Sequence, residues 1–91
     1  MRTKSLPGSD FIEAGIGDLA KGVESIPALL VSIGARRLRR SGLPVPENAI
    51  PSPELRLYEK LSQSDSDGAH SRYNALLRRL VSFERALECA S

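Results

Sequence analysis

Tyr73-Asn74-Ala75-Leu76-Leu77-Arg78-Arg79-Leu80-Val81-Ser82-Phe83-Glu84-Arg85-Ala86-Leu87-Glu88 is the stretch that decides the fold class. Tyr73, Leu76, Leu80, Phe83 and Leu87 recur at intervals of three and four, which sets all five on one face of an α-helix. Arg72, Arg78, Arg79, Glu84, Arg85 and Glu88 occupy the positions between them. A face that apolar has to be covered, either by the rest of the chain or by another chain. Leu77 and Val81 stand beside the stripe and widen it beyond the arc that one packed neighbour covers.

Working outward, Asp67 or Asp65 offers a cap for this helix, expected over residues 67–89. A polar loop from Ser62 to Gly68 precedes it. Ser52-Pro53-Glu54 reads as a helix start (a cap, proline in the first position, an acid in the first turn), so a helix is expected over 53–62 with Leu57, Tyr58 and Leu61 on its face. Residues 43–53 contain four prolines and form a stiff, extended connector that Val45 and Ile50 can anchor. Before it, Ser25 can cap a helix over 25–41 with Pro27 in the first turn and Ile26, Leu29, Leu30 and Ile33 on the buried side. Its end is strongly marked. Gly42 suits the left-handed position, Leu43 can pack back on Leu38, and Pro44 blocks continuation.

A first helix is expected over 10–21, with Asp10 as cap and Ile12, Ile16, Leu19 and Val23 at helical spacing. Gly15 and Gly17 weaken it and Gly22 ends it. Residues 1–9 read as a flexible tail, and 10–91 as one helical domain: a first helix pair at 10–42, the proline-rich connector at 43–53 and a second pair at 53–90. No strand pattern or internal repeat is present. The expected architecture is all-α, a small irregular bundle of about four helices with the longest, the C-terminal one, as its spine.

Ninety-one residues with 41% hydrophobic content suffice for one core, built of Leu, Ile, Val and Ala because aromatic residues are few. The lone Cys89 excludes an internal disulfide framework. The longest apolar run, Ile26 to Ala35, is too short to span a bilayer, and the basic N-terminus is followed by no apolar signal segment. No membrane association is expected, and a cytoplasmic location is the default reading. Net charge is only +2, yet its distribution alternates: residues 10–24 and 47–67 are acidic, whereas 25–46 carry four arginines and no acid. Such alternation suits intramolecular or head-to-tail pairing as well as an outside partner.

The motifs that carry chemistry fail on context. Gly15-Ile16-Gly17-Asp18-Leu19-Ala20 has the letters of a dinucleotide fingerprint but no preceding strand. Asp65-Ser66-Asp67-Gly68 resembles the start of a calcium loop, but Asn74 stands where the bidentate acid is required. His70 is the only histidine, with no second ligand or nucleophile at a recognisable spacing. The expectation is therefore a non-enzymatic protein with no metal and no cofactor.

Two binding features remain. Leu77, Val81, Arg78 and Arg85 form a candidate partner-binding flank on the C-terminal helix. Arg36, Arg37, Arg39 and Arg40 form a candidate anion- or nucleic-acid-binding cluster, since guanidinium groups grip phosphate in bidentate fashion. The leading expectation is a small interaction or regulatory module, adaptor- or antitoxin-like in size and helicity, that binds a protein partner or itself. The alternative is a nucleic-acid-binding regulator working through the arginine cluster.

Overall fold

Eight residues, Ile26–Ile33, form the helix around which the rest of the chain is assembled. The computed structural model describes residues 8–47 and 50–90, and shows five helices: α1 (Ser9–Ala20), α2 (Ile26–Ile33), α3 (Ala35–Arg40), α4 (Pro53–Ser64) and α5 (Ala69–Ala90). No strand occurs among the described residues. The all-α bundle with a proline-rich connector is what the periodicity predicts, with one more helix than expected.

The extra helix comes from a break at Gly34, where the backbone (φ −93°, ψ 9°) divides the expected 25–41 segment into α2 and α3. The hydrogen bonds run on across the break, from Gly34 N–H to the Leu30 carbonyl and from Leu38 N–H to the Gly34 carbonyl. The break sits where α5 packs. A Cβ at position 34 would lie 2.5 Å from Glu84 Oε2 and 3.2 Å from Leu80 Cδ1, so glycine leaves room here for these two α5 side chains as they are placed. Gly15 does the same for α1. A Cβ there would meet Val31 Cγ2 at 2.5 Å and the Pro27 carbonyl oxygen closer still. Gly15 is thus a packing residue rather than a weakness in α1.

Burial shows α2 to be the centre, in place of the C-terminal helix. Ala28, Leu29, Leu30 and Val31 are fully buried, and α2 touches each of the other four helices. Phe83, Leu87, Leu57, Leu61, Ile12 and Leu19 close around it, bringing the stripe on α5 into the core as its spacing requires. Ser32, also buried, is satisfied on both sides: its hydroxyl donates to the Ala28 carbonyl (2.9 Å) and accepts from Ile50 N–H (3.0 Å). That second bond fastens the end of the connector. Val45 is buried near its start, and Arg39 donates to the carbonyls of Val45 and Pro46. Asn48 and Ala49 of the connector lie outside the described residues.

Helix ends follow the sequence in part. Ser25 caps α2, its Oγ accepting from Ala28 N–H (3.2 Å) while donating to Asp18 Oδ2 (2.6 Å). Gly42 (φ 99°) closes α3 with Leu43 N–H on the Leu38 carbonyl and Gly42 N–H on that of Arg39, the Schellman arrangement expected from Gly-Leu-Pro. Other ends differ. Asp10 lies in the first turn of α1 and is not its cap, because the helix starts earlier, at Ser9, after Gly8 in the left-handed region. Ser9 is buried, so the expected tail is shorter at its inner end, and residues 1–7 lie outside the described residues. Val23 falls past the end of α1 and is exposed. Ser52 precedes α4 without a side-chain cap bond, and before α5 it is Asp65, not Asp67, that accepts from Gly68 N–H (3.0 Å).

Two of the glycines should therefore resist substitution while a third welcomes it. Gly15→Ala is expected to cost about 1–3 kcal/mol, because the clash is with a backbone carbonyl. Gly34→Ala should cost less than Gly15→Ala, since side-chain ends can shift. Gly17 has nothing within 4 Å of its would-be Cβ, so Gly17→Ala should stabilise α1 by about 0.5–1 kcal/mol. Urea denaturation of the three variants checks the order; equal losses at positions 15 and 17 would contradict the close crossing of α1 and α2.

Candidate functional site

The four arginines of α3 do not act as one cluster. Helical geometry turns residues 36 and 40 to one side, 37 towards α5 and 39 towards the connector. Arg39 is occupied by the Val45 and Pro46 carbonyls. Arg37 grips Glu88 with two nitrogens (Nε–Oε2 2.5 Å, Nη2–Oε1 2.8 Å) and reaches Glu84 through Nη1 at 3.2 Å. Arg36 and Arg40 are exposed. The sequence signal for this division was available: Glu84 and Glu88 stand four apart, on one face of α5, as a ready pair of acceptors.

Glu84 is the most constrained of these charges. It is buried against Gly34, and burial pushes its carboxyl above the ordinary value of 4.5; Arg37 offsets only part of this, and nearby Glu88 adds to it. Glu88 goes the other way, held below that value chiefly by its hydrogen bond from Arg37. A second ion pair, Arg56 with Glu24 at 2.5 Å, ties the first half of α4 to the turn before α2 and lowers the Glu24 carboxyl.

The candidate partner-binding flank is brought together with the outward arginines. Leu77, Leu80 and Val81 on α5 face Ile33, Gly34, Arg36 and Arg40 across an open groove of about 430 Å³. On the outer side of Leu77 and Val81 a second shallow groove, of about 540 Å³, is bordered by Arg78 and Arg85. Leu77 packs partly on the core, whereas Val81 is 38% exposed. The result is an apolar ridge with arginines along both edges. Arg78 lies next to Arg79, which instead stacks its guanidinium over the Phe11 ring at 5.1 Å. None of the chain's aromatic rings borders either groove.

The remaining chemistry-bearing residues stay apart. His70 is exposed at the start of α5, its Nε2 3.2 Å from Asn74 Nδ2, and Cys89 is an exposed free thiol. Among the described residues no three His, Cys, Asp or Glu side chains converge, and no helix is long and apolar enough to cross a membrane. No family model matches the chain, nor does any curated protein or solved structure.

The raised Glu84 carboxyl has a definite consequence for stability. The folded state favours its neutral form, so the stability it contributes is full below about pH 4.5 and is lost as pH rises through the folded value. Glu84→Gln, which keeps the shape without the charge, should melt higher than the parent chain at pH 7. The gain should shrink towards pH 4.5. Thermal melts at several pH values read this directly, and a variant less stable at pH 7 than at pH 5, relative to the parent, would contradict it.

Proposed function

We propose that this chain is a small, non-enzymatic protein-interaction module that docks its partner on the Leu77–Val81 ridge of α5. The observation that carries the reading is that α5 has more apolar surface than the core uses. Leu80, Phe83 and Leu87 are buried on the inner face, yet Val81 is 38% exposed and Leu77 is only partly covered. Burying a large aliphatic side chain stabilises by about 1.5–3 kcal/mol, so two such residues in a groove supply a real fraction of a binding energy. Arginines at the rim add orientation and association rate.

The arrangement favours a protein over nucleic acid. Two of the four α3 arginines are engaged within the chain, and no aromatic ring borders the grooves to stack a base. A phosphate backbone would also leave the aliphatic ridge in contact with water.

Val81→Asp is the discriminating variant, because the position is partly exposed and lies outside the buried core cluster. Its circular dichroism and melting temperature should match the parent chain, while native mass spectrometry of gently purified protein should show the parent in a protein complex and the variant alone. Leu80→Asp, by contrast, should unfold the chain. Nucleic acid co-purifying with both forms, and leaving only at high salt, would overturn the reading in favour of the arginines.

A further inference from the structure

The ridge on α5 has a matching surface on α4 of the same chain. On α4, Leu55 is 61% exposed and Tyr58 is 38% exposed, and their spacing of three puts them side by side. Glu54 and Glu59 flank them, both exposed, and among the described residues neither makes a close ion pair, Glu59 acting on Arg56 of the same helix only at longer range. This is a short apolar strip with carboxylates at its edges. The α5 surface is a short apolar strip with guanidinium groups at its edges; the carboxylates beside it, Glu84 and Glu88, are held by Arg37. Along their axes the two spans are similar, about 8 Å from Glu54 to Glu59 and about 10 Å from Arg78 to Arg85.

We infer that a second copy of this chain is an occupant of the α5 ridge, presenting its α4 strip so that Leu55 and Tyr58 cover Leu77 and Val81 while Glu54 and Glu59 meet the rim arginines. The inference rests on the reading of the ridge as a docking face and specifies one partner for it. The fold itself prevents one copy from making this contact, because α4 and α5 are fixed side by side, with Tyr58 set edge-on against Tyr73 at 5.5 Å. Association of like with like is the poorer alternative. Two α5 ridges brought together would set Arg78 and Arg85 against arginines, since Glu84 and Glu88 are already taken by Arg37, and would leave Glu54 and Glu59 of both copies unused.

The pairing is therefore between different faces. It closes at a dimer if both copies exchange the contact about a two-fold axis, and otherwise propagates head to tail. A helix laid into a groove over two turns buries less than a standard interface, so the association is weak and concentration-dependent.

Charge exchange tests it. One variant carries Glu54→Lys and Glu59→Lys; the other carries Arg36→Glu, Arg40→Glu, Arg78→Glu and Arg85→Glu. Sedimentation equilibrium up to about 1 mM should show the parent chain self-associating and each variant alone weakened at least about tenfold, with helicity unchanged. An equimolar mixture of the two variants should recover association, because each then offers the complement of the other. Leu55→Gln and Val81→Gln, which alter no charge at exposed positions, should each weaken the parent's association and serve if a charge variant folds poorly.

A parent chain that stays monomeric at about 1 mM, or a mixture that does not recover, overturns the head-to-tail pairing. If in that case Val81→Asp still removes a different protein from the purified complex, the docking face stands and only its occupant is wrong. If neither self-association nor any complex responds to Val81, both readings fall.

Discussion

Everything in this fold depends on burying α2 from all sides. A helix of eight residues is not stable by itself in water, since nucleation costs more than two turns of hydrogen bonds return. It persists because Ala28, Leu29, Leu30 and Val31 are removed from solvent completely. Surrounding so short an element requires the neighbours to come very close. Gly15 lets α1 lie against the Pro27 carbonyl, and Gly34 lets α5 cross at the break that ends α2. The one polar side chain in this position, Ser32, is satisfied by the carbonyl of Ala28 and the amide of Ile50. The connector is thereby stitched to the core, and α4 is delivered to its place.

The same constraint explains why α5 has surface to spare. With 22 residues it is far longer than the helix it helps to cover. Its inner stripe is consumed by the core, while its flank at Leu77 and Val81 rises beside the Gly34 crossing, facing Ile33 and the arginines of α3 across an open groove. Arg37, held by Glu84 and Glu88, pins α3 there and sets the width of the groove. The remaining guanidinium groups of α3 and α5 are left along its edges. A structural necessity at the centre and a binding opportunity at the surface are thus two sides of one crossing.

Much of this was legible in the residues. The stripe on α5, the Ser25 cap, the Gly42-Leu43-Pro44 ending and the anchors Val45 and Ile50 all rest on local chemistry, which sequence records directly. The break at Gly34 did not, because a glycine inside an apolar run reads as a local cost, and what packs on it lies fifty residues away in Glu84 and Leu80. The centrality of α2 was hidden for the same reason: a long amphipathic helix announces itself, whereas a short one buried all round has no polar face to give it a period. The early start of α1 at Ser9 was masked by Asp10, whose fitness as a cap is real but unused. At the candidate site the ridge residues were found by periodicity. The separation of Arg37 and Arg39 from Arg36 and Arg40 required knowing which helix and which connector they face.

The most direct test of the docking face is a methyl spectrum of Leu- and Val-labelled chain, recorded free and in its purified complex. The account predicts that the Leu77 and Val81 signals shift and broaden while those of Leu29, Leu30 and Leu87 in the core keep their positions. Unchanged Val81 signals in a complex whose Val23 signals move would contradict it, and would transfer the interface to the surface around Val23 and Ile50.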